Sequence, residues 1–281
     1  MRSIPLLDVD DTEVFDEITA AKRGQRRGRL AAARPAVLDA YARYDDATPD
    51  VGALAQATLT APQREALNHA FNVETAPITA MRGSILKRIA VARCPFCGIS
   101  ESSTLDHYLP KEQYPEFSVF SLNLVPCCSP CNTRKRDKIL DDETNVRLFV
   151  HPHFDQIPTT LFLAANIDLL ADAIVLGFRV MRPAGMALAT FRHLCSHFRL
   201  LDLADRYRRM GLEHLGGQYR ALKRAYGLGE DAARVASELT LSAEDYEDRY
   251  GENYWLAVLY RVLAAHDEFC DGGFEALKSF Q

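Results

Sequence analysis

Apolar residues recur at helical spacing over two stretches of the N-terminal third, residues 14–44 and residues 62–93. Alanine, leucine, arginine and glutamate dominate between them, and all four are good helix formers. Prolines interrupt the pattern, because proline lacks a backbone N–H donor and drives the preceding residue out of helical geometry. The N-terminal third is therefore predicted to be helical, with breaks at Arg34-Pro35, Thr48-Pro49 and Ala76-Pro77.

The pattern changes character at Cys94. Short stretches of β-forming residues follow at 103–105 and 117–122, separated by turns that contain proline. Residues 132–140 then have the composition of the start of a helix. This middle segment is predicted to be a β-rich insert between helices.

The C-terminal third begins with an apolar stretch, residues 161–180, whose end is rich in β-branched and aromatic residues and favours a β-hairpin. Helical periodicity returns at 187–227 and again at 242–278, where Ser242 is a candidate N-cap. The whole pattern predicts an α+β protein. Its three predicted regions are helical, β-rich, and a hairpin followed by helices, at residues 1–89, 90–140 and 141–281.

The 281-residue chain carries a formal net charge of −5, which argues against a protein that coats nucleic acid indiscriminately, since such binding depends on phosphate neutralisation. The charge is unevenly spread. Residues 22–34 hold six basic side chains and no acid, whereas residues 230–252 hold eight acids and two arginines. The sequence contains no run of about 18 apolar residues and no signal-peptide layout, so a cytoplasmic location without a membrane partner is expected.

Seven cysteines are present, and five of them fall between Cys94 and Cys131, a clustering that favours metal binding over disulfides. Cys94-x-x-Cys97 and Cys128-x-x-Cys131 are two knuckles that can each present two thiolates to one tetrahedral zinc ion. Cys127 is a rival for Cys128, although its spacing to Cys131 fits a knuckle less well. A four-thiolate zinc site is closed, so this one is expected to be structural.

Between the two knuckles lie the residue types that phosphodiester hydrolysis needs. Cutting such a bond takes a base to deprotonate water and a divalent cation to stabilise charge on the phosphate and on the leaving oxygen. His107 can accept a proton near neutral pH, and Asp106 and the side-chain carbonyl of Asn132 are oxygen ligands suited to Mg²⁺ or Mn²⁺. These residues predict an open catalytic metal site beside the closed zinc site.

In their order and spacing, residues 94–138 resemble the HNH or ββα-metal nucleases in the zinc-knuckle form, which reads Cys-x-x-Cys, Asp-His-x-x-Pro, Asn-Leu, Cys-x-x-Cys-Asn-x-x-Lys. The resemblance implies that His107 is the general base and that Asp106 and Asn132 hold the catalytic metal. It also implies that Asn123 ties down the loop that orients the base. Many members have histidine where this chain has Asn132, which leaves the metal preference open.

The same resemblance implies a ββα-metal finger with a structural zinc, embedded in a mainly α-helical body. Lys135 would contact a phosphate, and Arg134, Arg136 and Lys138 extend a basic cluster along the same predicted helix. Of this cluster, Arg134, Lys135 and Lys138 are the predicted nucleic-acid contacts. DNA is the expected substrate, because the finger of this family docks on the backbone of a groove.

More narrowly, the small finger between large helical flanks resembles the HNH subunits of Septu-like and retron-associated anti-phage systems, which work beside an ABC-type ATPase. Two alternatives stay open. One is a zinc-stabilised adaptor that binds nucleic acid or protein without cutting, because paired Cys-x-x-Cys knuckles alone are typical of such proteins. The other is an RNase that acts on structured RNA.

Overall fold

The computed structural model describes residues 1–6, 8–87, 93–141, 143–144, 146–170, 173–227, 229 and 231–280. The chain divides into two compact units, Arg2–Gln156 and Ile157–Gln281. The predicted boundary at 89/90 lies outside the described residues, and the one at 140/141 falls within the first unit. Within the described part of the chain, no helix combines the length and apolar character needed to cross a membrane.

The N-terminal third is helical, as its periodicity predicts. Its four helices are α1 (Asp11–Ala21), α2 (Gly24–Ala47), α3 (Ala61–Asn72) and α4 (Ala76–Lys87). The carboxylate of Asp10 caps α1 by accepting the backbone N–H groups of Thr12 and Glu13, at 2.9 Å and 3.1 Å. Phe15 and Ile18 lie on the buried face of this helix. The predicted breaks near Pro49 and Pro77 are confirmed, since α2 ends at Ala47 and α4 begins at Ala76.

The predicted break at Arg34-Pro35 is wrong. Helix α2 runs through Pro35, and the break lies earlier, where the backbone is extended at Lys22 and Arg23. Proline removes one helical hydrogen bond, but the buried side of α2 continues across it from Leu30 to Val37. Packing of that face therefore outweighs the lost bond.

The middle segment contains a strand, a second strand and a helix in succession: β1 (Thr104–His107), β2 (Leu124–Cys127) and α5 (Ser129–Lys135). The strands pair antiparallel, with Thr104 opposite Cys127 and His107 opposite Leu124. Helix α5 packs against β1. The helix predicted over 132–140 thus begins earlier and ends at Lys135, so its predicted bounds are wrong.

The strand predicted at 117–122 is wrong as well. Two short 3-10 turns, Pro115–Phe117 and Ser121–Asn123, occupy this region, and β2 begins only after them. The hydroxyl of Ser118 donates to the carbonyl of Pro115 at 2.6 Å, and the hydroxyl of Ser121 donates to Asp11 at 2.7 Å. The Ser118 hydroxyl bonds within its own turn, which competes with strand formation, and the Ser121 hydroxyl ties the second turn to α1.

The second unit opens with the predicted hairpin, whose strands are β3 (Leu163–Leu170) and β4 (Ala173–Val180). Helices follow: α6 (Leu188–Leu200), α7 (Leu203–Tyr226), α8 (Ala232–Tyr250), α9 (Trp255–Ala264), α10 (Asp267–Cys270) and a 3-10 helix, Gly273–Phe280. Gly211 lets α7 approach the hairpin closely, because an added Cβ would lie 3.0 Å from Leu176 and 3.2 Å from Leu259. In the described residues, helices combine with small antiparallel sheets, which agrees with the α+β prediction.

The predicted N-cap at Ser242 is wrong. Ser242 lies inside α8, where its hydroxyl donates to the carbonyl of Glu238 at 2.9 Å. The cap is Asp231, whose carboxylate accepts the backbone N–H of Arg234 at 2.9 Å. A serine can satisfy its hydroxyl on the preceding turn of a helix, so its presence alone does not mark the start of one.

Candidate metal centre and adjoining cleft

Four cysteines from the two knuckles come together in the first unit. The sulfur atoms of Cys94, Cys97, Cys128 and Cys131 all lie within 4.8 Å of one another, and all four side chains are buried. Gly98, at φ +70°, permits the sharp turn of the first knuckle, and its N–H donates to the carbonyl of Cys94 at 2.7 Å. Four thiols in this arrangement could hold a tetrahedral zinc ion.

The alternative ligand Cys127 lies outside this group. Its side chain belongs to β2, and its Sγ is 3.5 Å from the hydroxyl of Thr104. Burial raises the pKa of the Cys127 thiol, so this cysteine is a neutral core residue. The structure therefore selects Cys128 for the cluster.

The chemistry of the donor set fits zinc. Burial raises the pKa of the Cys94 thiol, whereas hydrogen bonds from Cys131 and Cys94 lower the pKa of Cys128 to about 7. The thiols of this cluster lie close enough to shift one another's pKa values. A bound cation would satisfy all four thiolates at once.

A cleft of about 730 Å³ is lined by Asp106, His107 and Asn132, the general base and the two ligands of the catalytic metal that the resemblance implies. Strand β1 supplies the first two, and α5 supplies the third. The packing of α5 on β1 is what brings them to one surface. Phe71 and Arg136 also line the cleft.

His107 is buried at the end of β1, with its Nε2 2.9 Å from the carbonyl oxygen of Ser118. A carbonyl can only accept, so Nε2 carries the hydrogen and Nδ1 of the neutral ring keeps its lone pair. Burial lowers the pKa of His107 to about 3, so the ring is neutral at physiological pH but accepts a proton less readily than a free histidine side chain, contrary to the expectation from its ordinary pKa near 6.5. Phe71 packs edge-on against the ring, with centroids 4.4 Å apart.

Asn123 is fully buried and fastens the loop that follows His107. Its Oδ1 accepts the backbone N–H of Leu109 at 2.8 Å, and its Nδ2 donates to the carbonyls of Leu109 at 3.0 Å and Phe117 at 3.3 Å. The backbone carbonyl of Asn123 also accepts from Tyr108 N–H at 2.8 Å. These contacts hold the backbone of the loop that follows His107.

Lys135 does not lie where a phosphate contact requires. Its side chain is 1% exposed, and its ammonium forms an ion pair of 2.9 Å with Asp106. The same ammonium donates to the carbonyls of His107 at 3.0 Å and Tyr108 at 2.9 Å. All three of its donors are directed inward, so the predicted nucleic-acid contact at Lys135 is wrong.

Asp106 is 3% exposed, and its charge is balanced from within the protein. Burial raises the pKa of this carboxyl to about 6, and the neighbouring Lys135 ammonium opposes that rise. Asn132 is half-buried, and its Nδ2 donates to Thr104 Oγ1 at 3.3 Å and to the Leu105 carbonyl at 3.5 Å. Its Oδ1 has no hydrogen bond among the residues that the structure describes.

The other basic residues divide between the cleft and its surroundings. Arg134 donates to the carbonyl of Pro130 at 3.4 Å, and Lys138 is exposed, but neither is among the described residues that line the cleft. Arg136 and Lys111 do line it. Sequence reasoning missed Lys111 as a candidate contact, although it directly follows the Asp-His-x-x-Pro motif.

Comparisons with known proteins give one similarity of note. The chain is 29% identical over 196 residues to Protein ea31 of Escherichia phage lambda, and the alignment covers 64% of each chain. This alignment is far longer than the segment 94–138, so the similarity includes helical parts of the chain. No family model matches the chain. No solved structure matches it either.

Proposed function

We propose that this protein is a metal-dependent endonuclease of the HNH, or ββα-metal, kind, which hydrolyses phosphodiester bonds in DNA. One observation carries the proposal: Asp106, His107 and Asn132 line the same cleft. They stand on a strand and a helix that belong to a β1–β2–α5 unit, next to a buried cluster of four cysteines. A passive zinc-binding scaffold has no need of a neutral histidine and two oxygen donors in one cleft.

In the proposed reaction, His107 is the general base. Its Nδ1 takes a proton from water while the water oxygen forms a bond to phosphorus. The bond from phosphorus to the 3′ oxygen breaks, the leaving oxygen takes a proton from a second solvent water, and the products are a 5′-phosphate and a 3′-hydroxyl. The hydrogen bond from Nε2 to Ser118 fixes the tautomer that this role needs, and Asn123 holds the adjoining loop.

The oxygen donors of Asp106 and Asn132 suit Mg²⁺ or Mn²⁺, which these two residues would hold together with water and phosphate. When bound, such an ion stabilises negative charge on the phosphate and on the leaving oxygen. Both residues line the cleft, and the Oδ1 atom of Asn132 is available as a metal ligand, since its hydrogen bonds to Thr104 and Leu105 are made by Nδ2. The four-cysteine cluster would hold zinc in a structural role, because its four thiolates complete a tetrahedron.

The proposal is tested by incubating the purified chain with plasmid DNA, and separately with total RNA, in Mg²⁺ or Mn²⁺. We expect wild type to cut DNA and His107→Ala to lose cutting by at least about 100-fold, the lower end of general-base effects. His193→Ala, a histidine of α6 in the other unit, is the matched control and should cut normally. Cutting by His107→Ala at the wild-type rate would refute the assignment of the base.

The same assay separates the competing functions. Cutting of RNA alone would favour an RNase, and binding without cutting of either nucleic acid would favour a zinc-stabilised adaptor. A role beside an ABC-type ATPase in anti-phage defence is a further proposal, which follows from the narrower resemblance alone. Purification of the tagged protein from its native host without an associated ATPase would contradict that role.

A further inference from the structure

The backbone of Arg136 adopts a conformation that residues with a side chain rarely use. Its φ is +51° and its ψ is −126°, a combination that glycine tolerates far better because a Cβ crowds the neighbouring backbone. The turn ends α5, since the Arg136 N–H donates to the carbonyl of Asn132 at 3.0 Å. A glycine would make the same bond without strain. An arginine at this strained position therefore points to a role for its side chain.

Arg136 also forms part of the wall of the cleft. Arg136 is exposed and lines the same space as Asp106, His107 and Asn132. Its Nε donates to the nearby carbonyl of Thr133 at 3.2 Å, which holds the base of the guanidinium against the end of α5. A planar guanidinium held at the mouth of a cleft is well suited to a phosphate oxygen.

Lys111 brings a second cation to the cleft. Its ammonium donates to Asn72 Oδ1 at 2.5 Å and lies 5.3 Å from the centre of the Phe71 ring. The same Phe71 ring packs against the ring of His107, so Lys111 and the proposed base both contact Phe71. The Lys111 side chain is 19% exposed, and the nearest carboxylate, that of Glu112, is 4.0 Å away and itself 71% exposed.

We propose that Lys111 and Arg136 form the phosphate-binding subsite of the cleft, which takes the phosphodiester backbone of the nucleic acid. The subsite rests on the proposed function and replaces Lys135, whose ammonium is buried against Asp106. Two acids that follow these cations in sequence, Glu112 and Asp137, also line the cleft and oppose an anionic ligand. Neutralising Glu112 should therefore strengthen binding.

The test measures binding of a short fluorescein-labelled DNA duplex by anisotropy across a range of salt concentrations, in a His107→Ala background that does not cut. Adding Arg136→Ala or Lys111→Met should lower the slope of log affinity against log salt by about 1 each, the loss of one phosphate contact. Glu112→Gln should raise the affinity. Arg192→Ala, which removes an exposed cation from the other unit, should leave the slope unchanged.

Thermal unfolding of Arg136→Gly and Arg136→Ala separates a functional role from a structural one. Both variants lose the guanidinium, and only glycine relieves the backbone, so we expect the glycine variant to unfold at the higher temperature while both bind equally weakly. An unfolding midpoint for Arg136→Gly at or below that of Arg136→Ala would refute the strain.

The subsite and the proposed function fail in different ways. Unchanged salt slopes for Arg136→Ala and Lys111→Met would overturn the subsite even if wild type cuts DNA. If wild type cuts nothing, the nuclease proposal fails, and the slopes still decide whether these two cations hold a phosphodiester.

Discussion

The ammonium of Lys135 lies 2.9 Å from a carboxylate oxygen of Asp106, and neither side chain is more than 3% exposed. This pair joins the end of α5 to β1. The two residues proposed to hold the catalytic metal stand on these elements, Asn132 on α5 and Asp106 on β1. Breaking a buried pair by removing one partner leaves the other charge unpaired, which typically costs more than the pair itself contributes.

Lys135→Met should therefore destabilise the protein strongly. We expect a loss of about 3–5 kcal/mol in the free energy of unfolding, measured by urea denaturation. The control is Lys87→Met, which removes an exposed cation from the end of α4 and should change stability by less than about 0.5 kcal/mol. Similar losses for the two variants would show that the buried pair has no special weight.

Zinc content distinguishes the cysteines. Purified wild type should carry about one zinc ion per chain, measured by elemental analysis, and Cys131→Ser should lose it because a four-thiolate site loses one ligand. Cys127→Ser should retain the metal, since that sulfur lies outside the cluster. Loss of zinc from Cys127→Ser alone would reverse the ligand assignment.

Asn123→Ala should loosen the loop after His107 selectively. The Leu109 amide bonds to the Asn123 side chain, whereas the Tyr108 amide bonds to the Asn123 backbone carbonyl. Hydrogen exchange should thus accelerate more at Leu109 than at Tyr108 in the variant. Equal acceleration at both amides would indicate global unfolding and not the loss of one anchor.

Asp11 should make stability depend on pH. Burial raises the pKa of this carboxyl from 3.8 to about 6, although hydrogen bonds from Ser121 favour the charged form. The folded state then holds a proton that the unfolded state has released, so the free energy of unfolding falls as pH rises from about 4 to about 6. Asp11→Asn should remove the contribution of Asp11 to this fall in the free energy of unfolding, on the order of 2 kcal/mol. Urea denaturation at each pH measures it. Parallel profiles for wild type and variant would contradict the shift.

Sequence patterns predict the elements of this protein better than they predict its local exceptions. Helical periodicity identified the N-terminal helices, and β-branched residues identified the β3–β4 hairpin. The same rules failed at Pro35 and Ser242, because both residues are normal boundary signals that tertiary packing or a bond to the preceding turn can override.

The candidate site shows the same division. Cysteine spacing predicted the four sulfurs that cluster, and the Asp-His and Cys-Asn pairs predicted three residues of one cleft. Nothing in the local sequence separates a surface lysine from Lys135, since its burial depends on three oxygen atoms about 30 residues away. The place of Phe71 in the site could not be predicted from the local sequence either, because its contact with His107 depends on how α3 packs.

Helix α5 spans seven residues, from Ser129 to Lys135. A helix of that length has little stability of its own in water and takes its order from what holds its two ends. One end carries Cys131 of the cysteine cluster, and the other carries Lys135 against Asp106. A chelator that strips zinc would therefore release the helix on which Asn132 stands. Under the proposed function, loss of activity on chelation would report on both metals together, and only stepwise add-back, zinc first and then Mg²⁺ or Mn²⁺, would tell them apart.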